Sequence, residues 1–478
     1  MPFAREASPS AFAAIAGASP VPFWLDSPNR PAALPALTGH QTTDLLVIGG
    51  GFTGLWTAIL AKQEDAARDV VVIEAGRIGW AASGRNGGFC AASITHGLGN
   101  GLERWPEEMP LLLRLGQANL DGIAKTIDSY DIDCGFERTG ELEVTTEPHQ
   151  AAHLPDYVEA GQKAGLDLEL LDASALRKLV DSPMYVGGVH DRAGVAMVDP
   201  GRLAWGLRRV ALQLGVRVYE GTRGLDLANA GAGLKVATTS SPATGTADGS
   251  VTAGKVVLAT NAFPPLLARL KHYVVSVYDY VVMTEPLSAS QWESIGWAGR
   301  QGIGDAGNQF HYYRRTDDGR ILFGGYDAIY RRRVSPSHDQ RAESFALLAT
   351  HLGQTFPELD GIGFSNTWGG AIDTCSRFSA FFGTARDGRL AYAAGYTGLG
   401  VGASRFGAAV MLDLLAGRRN ERTTNRMVST MPTPFPPEPF RSAGIGITQW
   451  SMSRADQHEG RRNLWLRTLD RLGLGFDS

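Results

Sequence analysis

A set of glycines near the N-terminus has the spacing of a dinucleotide-binding turn. Gly49, Gly51 and Gly54 form a G-x-G-x-x-G pattern after the apolar run at 44–50, and a helical pattern follows them. In such a turn the first glycine permits a tight bend, the second lets a pyrophosphate reach the helix, and the third lets helix and strand pack closely. Glu74 stands 20 residues after Gly54, where a carboxylate would accept the hydroxyls of a ribose. Together these residues predict a dinucleotide site.

A second glycine-rich turn late in the chain indicates which dinucleotide is bound. An acid at Glu74 fits FAD or NAD and disfavours a 2′-phosphate, since like charges would meet. The segment at 393–417 runs from an apolar strand through a turn rich in glycine, residues 395–401, into a helix. Backbone N–H groups and a helix N-terminus at such a turn would stabilise the anionic reduced flavin. The pair of turns predicts FAD, with an ordinary helix start carrying cap glycines as the alternative.

The loop at 81–90, AASGRNGGFC, holds three glycines, an arginine and an asparagine in ten positions. It follows Glu74 closely enough to run along the cofactor from the ribose towards the ring system. We expect Ser83 and Gly84 near the pyrophosphate and the stretch 86–88 at the ring edge, where larger side chains would collide. Arg85 could contact the cofactor or face the substrate, and we favour the cofactor.

Two kinds of strand pattern position these turns. Strand, helix and second strand at 44–75 have the spacing of a parallel sheet. Further buried strands of this kind occur at 215–221, 254–260 and 389–396. Alternating patterns, typical of antiparallel strands, occur at 136–146, 272–286 and 309–326. The fold class predicted is α/β: a glutathione-reductase-type Rossmann FAD domain interleaved with a mostly antiparallel β-sheet substrate domain that also carries helices.

The same patterns divide the chain into discontinuous units. A Pro-rich arm covers 1–40, and a tail that packs on the body covers 431–478. The predicted FAD-binding domain comprises residues 41–105, 195–265 and 366–430. The predicted substrate domain comprises residues 106–194 and 266–365.

Composition excludes several function classes. The 478 residues carry a net charge of −4, which gives no general attraction for nucleic acid. No apolar run reaches the roughly 18 residues that a spanning helix needs, so no membrane partner is expected. The three cysteines lack a CxxC spacing, which predicts neither a metal site nor disulfides and favours the reducing cytoplasm. The oligomeric state stays open.

Five motifs together resemble a known family. They are TTDLLVIGGGFTGLWTA, EAGRIGWAASGRNGGF, MVDPGRLAWGLRR, DGRILFGGYD and AAGYTGLGVGASRFGAAVM. They resemble FAD-dependent oxidoreductases of the D-amino-acid oxidase superfamily, among them gamma-glutamylputrescine oxidase-like, glycine oxidase and sarcosine oxidase enzymes. The resemblance covers roughly residues 22 to 420.

The resemblance implies oxidation of a C–N bond in an amine or amino acid. Hydride would pass from the carbon beside a neutral amine to flavin N5, water would hydrolyse the resulting imine, and oxygen would be reduced to hydrogen peroxide. It further implies that Glu74 holds the adenosine ribose, that the stretch 85–88 follows the flavin, and that the main chain near Val218 contacts the adenine. The turn at 397–401 would face oxygen.

Together, the turns and the resemblance predict one set of cofactor-contacting residues. These are Gly49, Gly51, Phe52, Thr53, Gly54, Glu74, Ala75, Ser83, Gly84, Arg85, Asn86, Gly87, Gly88, Val218, Thr260, Asn261, Gly395, Thr397, Gly398, Leu399, Gly400 and Val401.

Two departures from the family pattern matter. Some relatives attach flavin through a cysteine whose position falls near Trp368 here, not at Cys375, so we expect non-covalent FAD. Those same relatives also carry an oxygen-activating lysine on the strand that reads GRILFGG in this chain, where no lysine stands. A dehydrogenase that passes electrons to another carrier is therefore an alternative, as are a flavin monooxygenase and a non-catalytic redox sensor.

Substrate contacts are expected from polar tips on apolar strands, because the flavin is the electron sink and the protein supplies orientation. Tyr278 and Tyr280 share one strand face, and aromatic rings could hold an amine by cation–π contact. Arginines could grip a carboxylate. Core packing and structural ion pairs are the alternatives. The predicted substrate-lining residues are Tyr280, His311, Tyr313, Arg314, Trp368, Arg377 and Tyr396. No residue is assigned a catalytic role.

Overall fold

The computed structural model describes residues 3–241 and 245–475; residues 1–2 of the predicted arm and 476–478 of the predicted tail lie outside this range. The described strands are β1 Gly39–Ile48, β2 Val70–Ile73, β3 Phe89–Ala91, β4 Glu141–Thr145, β5 Leu168–Asp172, β6 Gly187–Asp191, β7 Val195–Met197, β8 Arg217–Tyr219, β9 Arg223–Ala230, β10 Gly233–Thr239, β11 Gly249–Leu258, β12 Val275–Thr284, β13 Gly302–Asp305, β14 His311–Arg315, β15 Ile321–Gly325, β16 Ile329–Arg331, β17 Phe364–Thr374, β18 Phe381–Ala385 and β19 Leu390–Ala394.

The described helices are α1 Pro9–Ile15, α2 Phe52–Glu64, α3 Gly97–Arg104, α4 Met109–Ser129, α5 Pro148–Ala151, α6 Leu154–Lys163, α7 Ala173–Arg177, α8 Pro200–Gln213, α9 Ala289–Ser294, α10 Ala342–Thr355, α11 Gly400–Leu415, α12 Glu421–Thr424, α13 Arg426–Ser429, α14 Phe440–Asp456 and α15 Leu464–Arg471. In the part of the chain that the structure describes, no helix combines the length and apolar character needed to cross a membrane.

The first large sheet contains the strands β1 and β19, which lead into the two glycine-rich turns. Its order is β18-β19-β11-β1-β2-β8, with β10 beside β11 and β9 beside β10. β1 pairs with both β2 and β11 in parallel, and α2 connects β1 to β2. Leu45 and Val47 of β1 belong to one apolar core, while Leu46 and Ile48 belong to another. Burial on both faces explains why residues 45–48 of β1 and all of β2 are continuous apolar runs, and the sheet confirms the predicted Rossmann fold.

The second large sheet is mostly antiparallel, as predicted. Its order is β16-β12-β15-β14-β13-β4-β6-β5, and β17 pairs with β12. Among the described strands of this second sheet, only β13 and β4 pair in parallel. Because β17 spans 364–374, the domain boundary predicted at residue 366 falls inside a strand of this sheet.

The arm and the tail both pack on the two sheets. Within the Pro-rich arm, residues Pro9–Ile15 form α1, and Ser8 caps this helix by accepting from the N–H of Ala11. Trp24 and Leu25 are buried. The tail forms α14 and α15, and several of its apolar side chains face a cavity between the sheets.

Candidate active site

A large cavity is lined by residues of both glycine-rich turns and of the 81–90 loop. Its volume is about 1990 Å³, and its walls come from the first sheet, the second sheet and the tail. This exceeds the roughly 300–1,000 Å³ of an ordinary ligand pocket, so it has room for a dinucleotide and a second molecule.

Glycine is required on steric grounds at the first turn. Gly49 has φ +112°, and a Cβ there would lie 2.3 Å from the carbonyl oxygen of Ala259. A Cβ at Gly54 would lie 1.9 Å from the carbonyl oxygen of Gly49. Gly49 borders the cavity, whereas Gly54 lets α2 pack against the end of β1.

The N-terminus of α2 opens onto the cavity as an anion site. Its N-cap residue, Gly51, has no side chain that could cap the helix. The hydroxyl of Ser83 accepts the N–H of Phe52 at 2.9 Å, and Gly51, Phe52 and Thr53 all line the cavity. The helix dipole and the free N–H groups favour a phosphate there.

Glu74 is held by three N–H groups at the end of β2. One oxygen accepts from the N–H of Gly50 at 2.6 Å. The other accepts from the N–H of Gly76 at 2.7 Å and from the indole of Trp80 at 2.8 Å. Burial raises the pKa of Glu74, and these three hydrogen bonds act in the opposite direction. The carboxylate is thereby fixed at the cavity wall.

The 81–90 loop is fastened by its own asparagine. Asn86 donates to the carbonyl oxygens of Ala82 and Ser83 at 2.9 and 3.1 Å and accepts from the N–H of Gly88 at 2.9 Å. The ring of Tyr312 approaches Gly87 so closely that a Cβ would lie 2.8 Å from it.

Arg85 connects this loop to the second sheet. Its guanidinium lies 2.6 Å from a carboxylate oxygen of Asp339 and 2.8 Å from the carbonyl oxygen of Gly369. Its Nε donates to the carbonyl oxygen of Trp80 at 3.0 Å. The arginine lines the cavity while its charge is matched by protein groups. Its expected contact with the cofactor stays a prediction.

The turn at 395–401 meets the first turn across the cavity. Asp373 accepts the N–H of Gly395 at 2.7 Å, and burial raises the pKa of Asp373 to about 7. Thr397 and Gly398 both have positive φ angles, which bend the chain into α11. The hydroxyls of Thr53 and Tyr396 are 3.1 Å apart, so the two turns share one hydrogen bond.

Most predicted cofactor residues border the cavity. These are Gly49, Gly51, Phe52, Thr53, Glu74, Ala75, Ser83, Arg85, Asn86, Gly87, Thr260, Asn261, Thr397, Gly398, Leu399, Gly400 and Val401. The structure does not bring the other five to the cavity wall; they are Gly54, Gly84, Gly88, Val218 and Gly395.

Four of those five residues are glycines that lie in closely packed main chain, and this explains why they do not border the cavity. Like Gly54, the glycines 84, 88 and 395 sit where a Cβ would come within 3 Å of a neighbouring atom. Val218 is a core residue of β8. The cavity instead reaches Thr222, Arg223 and Gly224 just beyond that strand.

These features fit FAD. A helix end whose N-cap residue is a glycine suits a pyrophosphate, a buried carboxylate beside it suits a ribose, and a second helix end lies across the same cavity.

Comparison with known proteins identifies the family. The family model described as DAO, FAD dependent oxidoreductase, matches residues 44–414. The chain belongs to this family. Its cofactor is FAD, and it is an FAD-dependent oxidoreductase.

Individual relatives agree with this assignment. Gamma-glutamylputrescine oxidoreductase of Escherichia coli is 33% identical over 405 residues, 83% of this chain and 88% of that protein. Glycine oxidase from Geobacillus kaustophilus superposes with a TM-score of 0.64 at 21% identity, covering 80% of this chain and 96% of that one. L-proline dehydrogenase from P. horikoshii gives 0.63 at 20% identity, covering 81% and 96%. The two structures show that the fold is shared.

Of the seven residues predicted to line the substrate space, the structure brings only Tyr396 to the cavity. Tyr278 and Tyr280 point away and donate to the carbonyl oxygens of Ser335 and His338, each at 3.1 Å. Tyr313 shares a 2.6 Å hydrogen bond with the hydroxyl of Tyr185.

The other predicted polar groups are buried in protein contacts. Arg314 donates to the carbonyl oxygen of Val198 at 2.6 Å, and Arg377 donates to that of Thr430 at 2.9 Å. Burial lowers the pKa of each guanidinium to about 10. Trp368 donates to the 81–90 loop, and His311 is bonded to Asp305.

The cavity wall is formed by the opposite face of the same strands. On β12 the residues at 275, 277, 279 and 281 line the cavity, and on β14 Tyr312 does so. The hydroxyl of Tyr312 donates to Asp279 at 2.5 Å. Alternation alone cannot say which face of a strand meets the ligand, but an acid in the apolar run VYDYVV was a usable signal.

Other lining residues had no sequence signal. His96 and Glu141 lie in the wall, and burial lowers the pKa of His96 to about 4 and raises that of Glu141 to about 8. From the tail, Met452, Leu466 and Leu469 contribute apolar surface. Within residues 3–241 and 245–475, no cluster of three or more His, Cys, Asp or Glu side chains could hold a metal.

Proposed function

We propose that this protein oxidises the C–N bond of an amine or amino acid. One observation carries the proposal: both FAD turns open into a cavity whose far wall is apolar strand surface bearing a carboxylate, Asp279. The named relatives support it, because gamma-glutamylputrescine, glycine and proline all contain an amine nitrogen beside a C–H group.

The chain supplies binding, orientation and exclusion of water. Bound FAD would supply at N5 an acceptor for the hydride of the carbon beside a neutral amine, and water would hydrolyse the resulting imine to a carbonyl compound plus amine or ammonia. The N-termini of α2 and α11 favour negative charge on the cofactor. Val277 and Val281 present apolar surface that keeps water from the reacting carbon.

We further propose that FAD is held non-covalently and that oxygen is the acceptor, giving hydrogen peroxide. Burial raises the pKa of Cys375, which disfavours a flavin-attaching thiolate. Among the described cavity-lining residues none is a lysine, which favours an electron carrier as the second candidate acceptor. A monooxygenase would consume NAD(P)H with substrate, and a redox sensor would hold FAD that no amine reduces. The three buried free cysteines fit the cytoplasmic location that we predict.

Anaerobic mixing tests the proposal. The purified yellow protein is mixed with alkylamines, N-methyl amino acids and D-amino acids, with buffer and the corresponding carboxylic acids as controls. We expect loss of the oxidised flavin absorption band with at least one amine and with none of the acids. Bleaching by no amine would overturn the proposal for that panel. Admitting oxygen or a redox dye then separates an oxidase from a dehydrogenase by the rate at which the band returns.

A further inference from the structure

Asp279 is a carboxylate of the cavity wall whose hydrogen-bond partners are all neutral. Asp279, on β12, accepts from the hydroxyl of Tyr312 at 2.5 Å and from the N–H of Tyr280 at 2.8 Å. The N–H of Gly325 also hydrogen-bonds to it. In the described parts of the chain, no arginine, lysine or histidine forms a salt bridge with it. A carboxylate held in this way lacks a counter-ion and is suited to a cationic ligand.

The charged groups around Asp279 are already paired with one another. Asp327, after β15, accepts from Arg341 at 3.0 Å. From the 81–90 loop, Arg85 is paired with Asp339. The paired strand β17 opposes Asp279 with Gly370, which is neutral. Neither the adjoining arginine nor the neighbouring strand neutralises the carboxylate.

Asp279 also lies beside the loop expected to follow the flavin. The ring of Tyr312 packs on Gly87, and a Cβ at Gly370 would lie 3.5 Å from the Cβ of Arg85. Both immediate neighbours of the carboxylate therefore lie beside the stretch 85–87. The carboxylate faces the cavity at the junction of the cofactor loop and the substrate sheet.

We propose that Asp279, oriented by Tyr312, binds the protonated amino group of the substrate and accepts one proton from it. The N–H bond of the ammonium breaks, a carboxyl O–H bond forms, and the nitrogen keeps its electron pair as a neutral amine. The inference rests on the proposed function, which needs a neutral amine beside the carbon that is oxidised. The substrate class is a primary or secondary amine that is a cation in solution.

The electrostatics agree with this geometry. Burial raises the pKa of Asp279 to about 6, while the hydrogen bond from Tyr312 acts to lower it. A carboxylate with a raised pKa is a better proton acceptor near neutral pH. Its anionic form is lost as the pH falls through about 6, so kcat/KM for a protonated amine should fall on that side.

The first test measures binding of a cation that cannot react. Tetramethylammonium has no nitrogen lone pair, and its binding to the FAD-loaded protein can be followed as a shift of the flavin absorption band. We expect Asp279→Asn to weaken this binding by about 10- to 100-fold. Glu293→Gln, at an exposed acid on α9, is the matched control and should leave binding unchanged.

The second test uses the pH profile. Asp279→Asn should remove the acid limb of kcat/KM near pH 6. Tyr312→Phe keeps the carboxylate but loses a hydrogen bond that stabilises the anion, so the limb should move to higher pH. If Asp279→Asn fails to retain FAD, the position of the acid limb in Tyr312→Phe still tests the role of Asp279.

The outcomes separate the two proposals. Unchanged tetramethylammonium binding in Asp279→Asn, or an unmoved acid limb in Tyr312→Phe, overturns the role of Asp279. Binding that depends on Asp279 in a protein that oxidises no amine supports the cation site and overturns the proposed function.

Discussion

The indole nitrogen of Trp368 lies 2.8 Å from the carbonyl oxygen of Arg85, and that of Trp24 lies 2.8 Å from the carbonyl oxygen of Asn86. One indole comes from β17 and the other from the N-terminal arm. The 81–90 loop is therefore held from two sides by groups that do not belong to the cofactor. Because the backbone of this loop is already ordered, less conformational entropy is lost when it binds a ligand.

We expect Trp368→Phe to lower the free energy of unfolding and the affinity for FAD by more than the loss of side-chain volume explains. The variant leaves the carbonyl of Arg85 without its donor, at a cost of about 1–3 kcal/mol. Trp297→Phe is the matched control, because Trp297 is fully buried and its indole nitrogen has no hydrogen-bond partner among the described residues. Chemical denaturation and FAD titration should show the larger loss in the Trp368 variant. Equal losses would mean that the hydrogen bond contributes nothing.

Arg85→Ala should weaken FAD retention by about tenfold while leaving the choice of amine unchanged. The reason is structural: the substitution breaks the ion pair to Asp339 and the bond to Gly369, which tie the loop to the second sheet. Asp339→Asn removes the same pair from the other side and should reproduce the loss. A variant that keeps its flavin but rejects only acidic substrates would show that Arg85 faces the substrate.

Of the residues expected from the sequence, far more of the cofactor set than of the substrate set line the cavity. Gly49 and Glu74 are dictated by local geometry, since a bend and a carboxylate are needed at fixed distances along one strand–helix–strand unit. Tyr280 and Asp279 are adjacent on one strand, and only the packing of α10 on one face decides which of them meets the cavity. That choice depends on contacts between residues distant in sequence, which no local pattern contains.

Glu74→Gln should raise the dissociation constant of FAD by about 10- to 100-fold. The amide presents an NH₂ group to at least one of the three N–H donors that now meet a carboxylate oxygen. Glu220→Gln is the control: Glu220 is also buried and accepts N–H groups from Leu34 and Ile78 at 2.6 Å, but it does not line the cavity. The release of FAD from both variants can be measured by flavin fluorescence after dilution. Equal FAD loss in the control would assign the effect to general destabilisation.

A buried relay joins the second sheet to the arm. His351 donates from Nε2 to the carbonyl oxygen of Ala4 at 2.7 Å, so neutral His351 accepts at Nδ1, 2.8 Å from Nε2 of His311. His311 must then donate there, and its Nδ1 lies 2.6 Å from Asp305. Hydrogen-bond matching thus places a proton on Nε2 of His311, and one further proton lies in the hydrogen bond between its Nδ1 and the carboxyl group of Asp305.

This relay predicts a pH-dependent stability. Burial, with a further contribution from the charge of His311, lowers the pKa of His351 to about 3. Between about pH 3 and 6.5 the unfolded chain binds a proton here that the folded chain does not, so stability falls as the pH falls, by up to about 1.4 kcal/mol per pH unit. His351→Gln should reduce that slope in denaturation series. His96 contributes equally to both proteins, so an unchanged slope would contradict the assignment.

The tail is fastened to the cavity rim by Asp456, the last residue of α14. Its carboxylate accepts the N–H of Asn308 and the N–H of Gln309, both at 3.1 Å, and the amide of Asn308 at 2.5 Å. The stretch 308–310 and tail residues such as Met452 line the same cavity, so this contact joins two of its walls.

Asp456→Ala should therefore expose the flavin. The expected loss of stability is about 2 kcal/mol, since bonds to a charged acceptor are broken. Iodide quenching of flavin fluorescence and proteolysis within 457–475 should both increase. Glu459→Gln removes an exposed acid just beyond α14, whose ion pair with Arg461 is solvent-screened, and should change neither. Unchanged quenching in the Asp456 variant would mean that the tail does not shield the cofactor, because its anchor could then be removed without opening the cavity.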